Sequence, residues 1–427
     1  MKRAALLAAV TVVAYLPSLA GPFQFDDYRV IVQDPAVHSW AALLAQAGAG
    51  VRPVLKASYA LNWTLGAAPF GFHAVNIALH ALNAVLLFLI GERIRGQAPN
   101  AAPVAFVAAL LFALHPMQTE AVTYVSGRSS SLMAAFYLSA LLAYLANRPW
   151  PVSALLFAFA LATRETAVTL PAALLLVELC RGTPWRTIAR RQAAHWLLLT
   201  AAGAALLFNA RYFDLVAYGF GERSLADNLL TQIAGVSYLA WHLVSLQGLN
   251  IDPALPALHE WTPALALQLA LLLSLFTLGI ASLRRRPWLA FGIPWFFLQL
   301  APTNSFVPRL DVANDRQVYL ACWGLFFALC VQLAALPLMM LRTAAAALCL
   351  LFAAASVLRQ ADYASEIALW DASVRSSPWN ARAHNNLGYA YYEAGRKTEA
   401  LREIRTALLL DPGLEKARAN MVLLDGR

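Results

Sequence analysis

The chain has 427 residues, 60% of them hydrophobic and 13% charged, about half the charge of an ordinary soluble domain. Its mean hydropathy is +0.58, which excludes a soluble enzyme and places the chain in a membrane. The net charge of +9 does not mark a nucleic-acid partner, because the arginines are scattered along the ends of apolar runs. Lysine occurs only at Lys2, Lys56, Lys397 and Lys416. With heavy use of alanine, that bias points to a GC-rich bacterial genome and hence to the inner membrane. Cys180, Cys322, Cys330 and Cys349 lie in apolar runs without a CxxC, so they read as small core residues rather than a disulfide framework or metal site.

Runs near spanning length occupy 4–20, 72–90, 103–115, 131–146, 150–162, 167–180, 194–209, 264–282, 288–301, 318–336 and 343–358. The first of them, after Met1-Lys2-Arg3, resembles a signal peptide but reads as an uncleaved span, since many more follow. The stretch 229–247 is apolar but carries Gln232, His242 and Gln247, and is expected as a re-entrant or interfacial helix on the outer side. A crossing there would put Arg284-Arg285-Arg286 outside, against the positive-inside rule. About eleven spans leave the C-terminal tail outside, in the periplasm. The expected fold is all-α: a polytopic helical bundle over 1–358 and a small helical domain over 359–427.

Directly after the first span comes Phe25-Asp26-Asp27-Tyr28. Neighbouring carboxylates repel, which raises one pKa and suits a general base or a cation ligand; a solvated loop or helix cap is the plainer alternative. The same outer loop carries Asp34-Pro35, a turn signal, then a helix expected from Trp40 through Ala47. Arg52 and Lys56 bring positive charge to the outer face, either incidentally or for an anionic partner such as a lipid phosphate.

The second span places His73, Asn76, His80 and Asn83 at offsets 0, 3, 7 and 10 on one helical face. Such a stripe lines a wet cavity or serves as hydrogen-bonding glue. His73 and His80 lie about 10 Å apart along the axis, too far to share a metal. The next outer segment gathers His115, Glu120 and Arg128, and the third outer turn holds Arg164-Glu165, expected to bridge each other. The fourth outer loop is 210–263; the fifth carries Asn304, Asp311, Asp315, Arg316 and Tyr319. Ionisable residues thus collect on the outer side.

In the tail, Leu387, Gly388, Tyr391, Ala400, Ile404, Ala407 and Pro412 match tetratricopeptide spacing. One repeat cannot bury its own apolar face, so it needs the flanking helices at 370–378 and 415–424, the membrane domain or a second chain.

Taken in order, Phe25-Asp26-Asp27, Arg52-Pro53, Gly71-Phe72-His73-x-x-Asn76-x-x-x-His80, Phe112-Ala113-x-His115-Pro116-x-x-x-Glu120-x-Val122, Gly127-Arg128, Glu165, Pro302-x-Asn304 and Arg316-x-x-Tyr319, followed by a tetratricopeptide repeat, resemble the transmembrane and tetratricopeptide repeat-containing O-mannosyltransferases. More distantly the chain is similar to protein O-mannosyltransferases and other C-type glycosyltransferases. The resemblance implies transfer of a sugar from a polyprenyl-phosphate carrier to a hydroxyl acceptor, a protein serine or threonine, on the outer face. It assigns the base to Asp26 or Asp27, with Glu120 as a further catalytic candidate. Arg128 and Arg316 are the candidates for the donor phosphate, because guanidinium suits phosphate through its fork of N–H groups. His73, Asn76, His80, His115, Glu165, Asn304 and Tyr319 are expected to line the cavity. No cofactor is required, although a divalent metal could bridge Asp26 or Asp27 to the phosphate; the sequence holds no compact ligand set. Membrane lipids and an acceptor polypeptide are the remaining expected partners. The chain departs from the resemblance in carrying barely one good repeat, and Arg164 where a lysine is expected. Rival readings are a flippase of the same lipid carrier, an envelope-glycan ligase and a non-catalytic assembly scaffold.

Overall fold

A computed structural model describes residues 1–46, 51–208, 210–334 and 337–425. Ala47, Asn209 and the last two positions of 318–336, expected to end three segments, lie outside them. The described residues form helices joined by turns, with no strand among them. Lys2–Ala20, Pro69–Arg95, Pro263–Ala281 and Arg342–Tyr363 are long and apolar enough to cross a membrane. Ala101–Leu114 and Pro116–Val122, bent by 56° where they meet, make a fifth crossing if counted as one span. Several other expected spans fold as shorter apolar helices, Trp150–Thr163, Pro287–Leu300 and Ala321–Leu333. By length and composition, four or five of the eleven expected crossings therefore qualify.

Helix Pro69–Arg95 is the hub, packed on Lys2–Tyr15, Ala101–Leu114 and Arg128–Leu145. Its polar stripe explains how a bent segment survives beside it. The bend at His115 takes backbone carbonyls out of the helical ladder, and in hydrocarbon each such carbonyl must find another donor. His80 Nε2 donates to the Ala113 carbonyl at 3.0 Å. Asn76 Nδ2 reaches the carbonyls of Val122, Tyr124 and Val125 at 3.2–3.3 Å, and Asn83 Nδ2 that of Ser131 at 2.8 Å. Close approach finishes the fit: a methyl at Gly127 would overlap the Glu120 carbonyl.

The fourth outer loop is more ordered than expected, with helix Ala210–Glu222 ahead of helix Leu225–Ser245. The second of these turns its buried polar residues toward the fifth loop. Asn228 donates to the Ser305 carbonyl at 2.7 Å and Gln232 accepts from Asn304 at 2.9 Å.

After Leu338–Gln360 come Glu366–Ser376, Ala381–Glu393, Lys397–Leu410 and Glu415–Asp425. The middle pair is the repeat: Leu387, Tyr391, Ala400, Ile404 and Ala407 share one buried cluster. Glycine is required at 388, where an added methyl would lie 2.6 Å from Ile404 Cγ1. That cluster continues into the outer loops through Tyr124, Ile251 and Phe25. Arg382 adds a bidentate pair to Asp252 at 2.6–2.7 Å and a bond to Asp311 at 2.7 Å. The tail is thus docked on the loops that carry Phe25, Tyr124, Ile251, Asp252 and Asp311.

Candidate functional site

The two adjacent aspartates have different environments. Asp27 is 1% exposed. Its carboxylate accepts from the Ser126 amide at 2.8 Å, from the Ser126 hydroxyl and from the Gln24 amide at 3.0 Å. It ties the first outer loop to the turn before Arg128. Asp26 is half-buried; its amide donates to Tyr124 Oη at 3.0 Å. Among the described residues its carboxylate has neither an ion pair nor a hydrogen bond. One carboxylate anchors, and the other is left free.

Arg316 lies within the field of Asp26, and Arg52, Arg164 and Arg309 lie within the field of one another and of Arg316. Arg316 pairs with the buried Glu120 at 3.4 Å and also gives that carboxylate its backbone amide at 3.1 Å. Burial works against its charge, yet Glu120, Tyr124, Asp311 and Asp26 together hold its pKa above the ordinary value. Arg316 also borders a narrow cleft with Ser130, Arg164, Gln299, Thr303 and Tyr319. Arg164 points into the same region. Its partners are the hydroxyls of Ser129, at 3.2 Å, and Ser130, and its Nε has none. Burial and the neighbouring Arg52 push its guanidinium well below the usual range. Burial, with Arg316 and Arg52, lowers the Arg309 guanidinium against the pull of Glu165, and it has no side-chain partner among the described residues. Cations so placed favour an anion.

The expected bridge between Arg164 and Glu165 is not formed. Glu165 instead takes a two-pronged pair from Arg52, at 2.5 and 3.0 Å. Burial alone would raise its carboxyl, but Arg52 and Arg164 hold it far below the carboxylate range. Lys56, the other outer cation of the first loop, is committed to Asp34 at 2.9 Å.

The phosphate role expected of Arg128 does not fit its geometry. It is 0% exposed and donates to Asn76 Oδ1 and Asn62 Oδ1 at 2.8 Å each. It also bonds the Ser58 and Phe72 carbonyls at 3.2 and 3.0 Å, with Tyr59 and Phe72 against its faces. Most of the expected cavity lining is likewise buried glue. His73 bonds the Gly21 carbonyl at 3.0 Å and His115 that of Leu243 at 3.1 Å. Asn76, His80 and Asn304 are spent on the bonds given above. Tyr319 bonds His80 Nδ1 at 2.8 Å and still borders the cleft. Among the described residues no group of three or more His, Cys, Asp or Glu side chains is placed to hold a metal.

Sequence reasoning missed Arg309, Tyr124, Ser126 and Glu366. Arg309 carried a signal, as an arginine in a loop expected on the outer side, where the positive-inside rule disfavours basic residues. Tyr124 and Ser126 act through long-range contacts that no local pattern announces.

The anchoring of Asp27 makes stability depend on pH in an unusual direction. Burial pushes its carboxyl up to about 7, against the hydrogen bonds from Ser126 and Gln24. An unfolded aspartate titrates near 3.9, so between about 4 and 7 the folded chain holds the extra proton. The contribution is full below that window and is lost as pH rises through it. The Asp27 contribution, read as the difference in thermal stability in detergent between wild type and Asp27→Asn, is therefore expected to grow in favour of wild type as pH falls from about 7 to 5. Asp315 and Glu366, also raised by burial, act in the same direction. Glu165 acts in the opposite direction only below about pH 4.5, outside that window. A difference between wild type and Asp27→Asn that does not change over that range would show that Asp27 is ionised throughout.

A tetratricopeptide repeat family model matches residues 381–414. A protein O-mannosyl-transferase of Caenorhabditis elegans is 25% identical, over 96% of this chain and 63% of the relative. The Homo sapiens protein O-mannosyl-transferase TMTC4 is 26% identical, over 93% of this chain and 65% of its own length. The Mus musculus protein O-mannosyl-transferase TMTC1 is 37% identical over 33% of this chain and 16% of its own. The chain thus spans somewhat under two thirds of the length of the first two. No solved structure matches. The chain carries a tetratricopeptide repeat at 381–414 and is similar over nearly its whole length to proteins named protein O-mannosyl-transferases.

Proposed function

We propose that the chain is a membrane glycosyltransferase that moves a sugar from a polyprenyl-phosphate carrier to a hydroxyl of a protein acceptor. The observation that carries the reading is the free Asp26 carboxylate, on a loop pinned by Asp27 and Tyr124, within the field of Arg316. The names of the relatives support a sugar transferred to protein, with mannose as the first candidate.

In the proposed step the acceptor oxygen attacks the anomeric carbon and its proton passes to Asp26. The bond from that carbon to the carrier phosphate breaks, and polyprenyl phosphate leaves with the electron pair. A positioned carboxylate contributes about 10²–10⁴ in rate. The departing anion needs cations aimed where its charge develops. Arg316 and Arg309 take that role, with Arg164 behind them; Arg128 holds the scaffold. Glu120 fixes Arg316 rather than acting on substrate. The test is incubation of the purified protein with a panel of polyprenyl-phosphate sugars and peptide acceptors. Sugar release or transfer supports the reading, and inertness toward every donor refutes it.

The proposed topology has eleven crossings with the N-terminus inside, placing the Asp26 loop and the tail on the outer face of a bacterial inner membrane. The inner arginine clusters support it. A reporter fused after Arg427 is expected to be active only when it works in the periplasm. Activity of a strictly cytoplasmic reporter there would contradict the topology.

A further inference from the structure

We propose that Glu366, in the tail, is a positioning residue for Asp26. The proposal rests on the transfer reaction argued above and adds the tail to its machinery. Phe25, the residue before Asp26, has φ of +48°, a left-handed conformation that a bulky side chain adopts only when its surroundings hold it. Three contacts hold it, and all come from the tail or its lead-in. Glu366 Oε1 accepts the Phe25 amide at 2.5 Å. The Phe25 ring stands edge-on to Trp370, centroids 4.9 Å apart. Gln24 Nε2 bonds the Tyr363 carbonyl at 3.0 Å.

Glu366 is placed for this task. It follows Ser365, whose hydroxyl caps the helix by accepting from Ala368. The glutamate is therefore not needed for capping and reaches outward. Its second oxygen accepts the Trp370 indole N–H at 2.8 Å, so the carboxylate links the loop amide to the ring on which Phe25 packs. The direction in which Asp26 presents its carboxylate is set by a residue 340 positions later. The same helix leads into the repeat, which is anchored through Arg382 to Asp252 and Asp311. Acceptor-side and base-side elements form one body.

The experiment compares wild type, Glu366→Ala and Glu366→Gln in lipid nanodiscs, using a polyprenyl-phosphate sugar and a peptide acceptor. Glu366→Ala is expected to lower kcat by about 10–100-fold, since misplacing a catalytic group by about 1 Å costs on the order of 10²-fold. KM for the lipid donor should stay within about twofold, because the donor site is untouched. Glu366→Gln keeps one acceptor oxygen for the Phe25 amide but turns an N–H₂ toward the Trp370 indole N–H, so it should recover part of the loss; it also serves as the test where the alanine variant does not fold. In parallel, hydrogen exchange of the 24–28 amides should quicken by about tenfold or more in Glu366→Ala, while helix Lys397–Leu410 is unchanged. Quicker exchange with unchanged kcat would overturn the positioning role, and so would unchanged exchange. A wild type inert toward every donor would instead refute the proposed reaction, and the positioning role with it, whatever the exchange shows.

Discussion

Replacing Arg128 by leucine is expected to leave almost no folded protein. The guanidinium joins helix Pro53–Leu65, through Ser58 and Asn62, to helix Pro69–Arg95, through Phe72 and Asn76. Removing it strands two buried amide oxygens and two carbonyls around a fully buried position, at a cost of about 3–5 kcal/mol. Net stability of a folded domain is only about 5–15 kcal/mol. The two N–H groups of Asn76 Nδ2 are also shared among the carbonyls of Val122, Tyr124 and Val125, so the turn holding Ser126 and thus Asp27 would loosen with it. Arg128→Lys is expected to fail nearly as badly, because one ammonium cannot reach four acceptors spread around a planar fork. Size-exclusion profiles and thermal midpoints of the purified variants check this. An Arg128→Leu protein that stays folded but loses donor binding would return Arg128 to the phosphate role.

Asp26→Asn should have the opposite profile, with folding intact and turnover lost. Its carboxylate makes no hydrogen bond among the described residues, and the amide at 26, which does bond Tyr124, is untouched by the change. Transfer is expected to fall by about 10²–10⁴, with donor KM nearly unchanged, because proton acceptance matters mainly in the transition state. Asp27→Asn should read differently. An asparagine at 27 has one acceptor oxygen for three donors and turns an N–H₂ toward the others. It should lower stability and reduce turnover only in part. Reversed profiles for the two variants would move the base to Asp27. Loss of turnover in neither would make Glu120 the next residue to test.

Much of this was legible before any coordinates. Offsets of three and four placed His73, Asn76, His80 and Asn83 on one face because helical geometry is local, and the repeat was readable because Gly388, Ala400 and Ala407 are dictated by close helix packing. What the stripe is for was not legible. Whether an in-membrane asparagine lines water or caps a carbonyl depends on the segment opposite, here the bend at His115. The Arg164–Glu165 dipeptide misled for the same reason: adjacency in sequence suggested a pair, while the folded chain brings Arg52 from 113 residues away to take the glutamate. Arg128 looked like a phosphate ligand because residue type was visible and burial was not. The separation of Asp26 from Asp27 also needed the fold, since Ser126 and Tyr124 choose which carboxylate is anchored.

The central claim is that a sugar leaves its lipid phosphate here and becomes covalently attached to an acceptor. The direct test reconstitutes the protein in sealed vesicles with a polyprenyl-phosphate mannose labelled in the sugar, and places an acceptor peptide on the side of the Asp26 loop. Mass spectrometry of the peptide and quantitation of free polyprenyl phosphate then follow the two products. The account predicts glycosylated peptide and polyprenyl phosphate in equal amounts from wild type, and neither from Asp26→Asn. Movement of intact donor across the bilayer with no covalent product, in wild type and variant alike, would contradict it and identify a transporter.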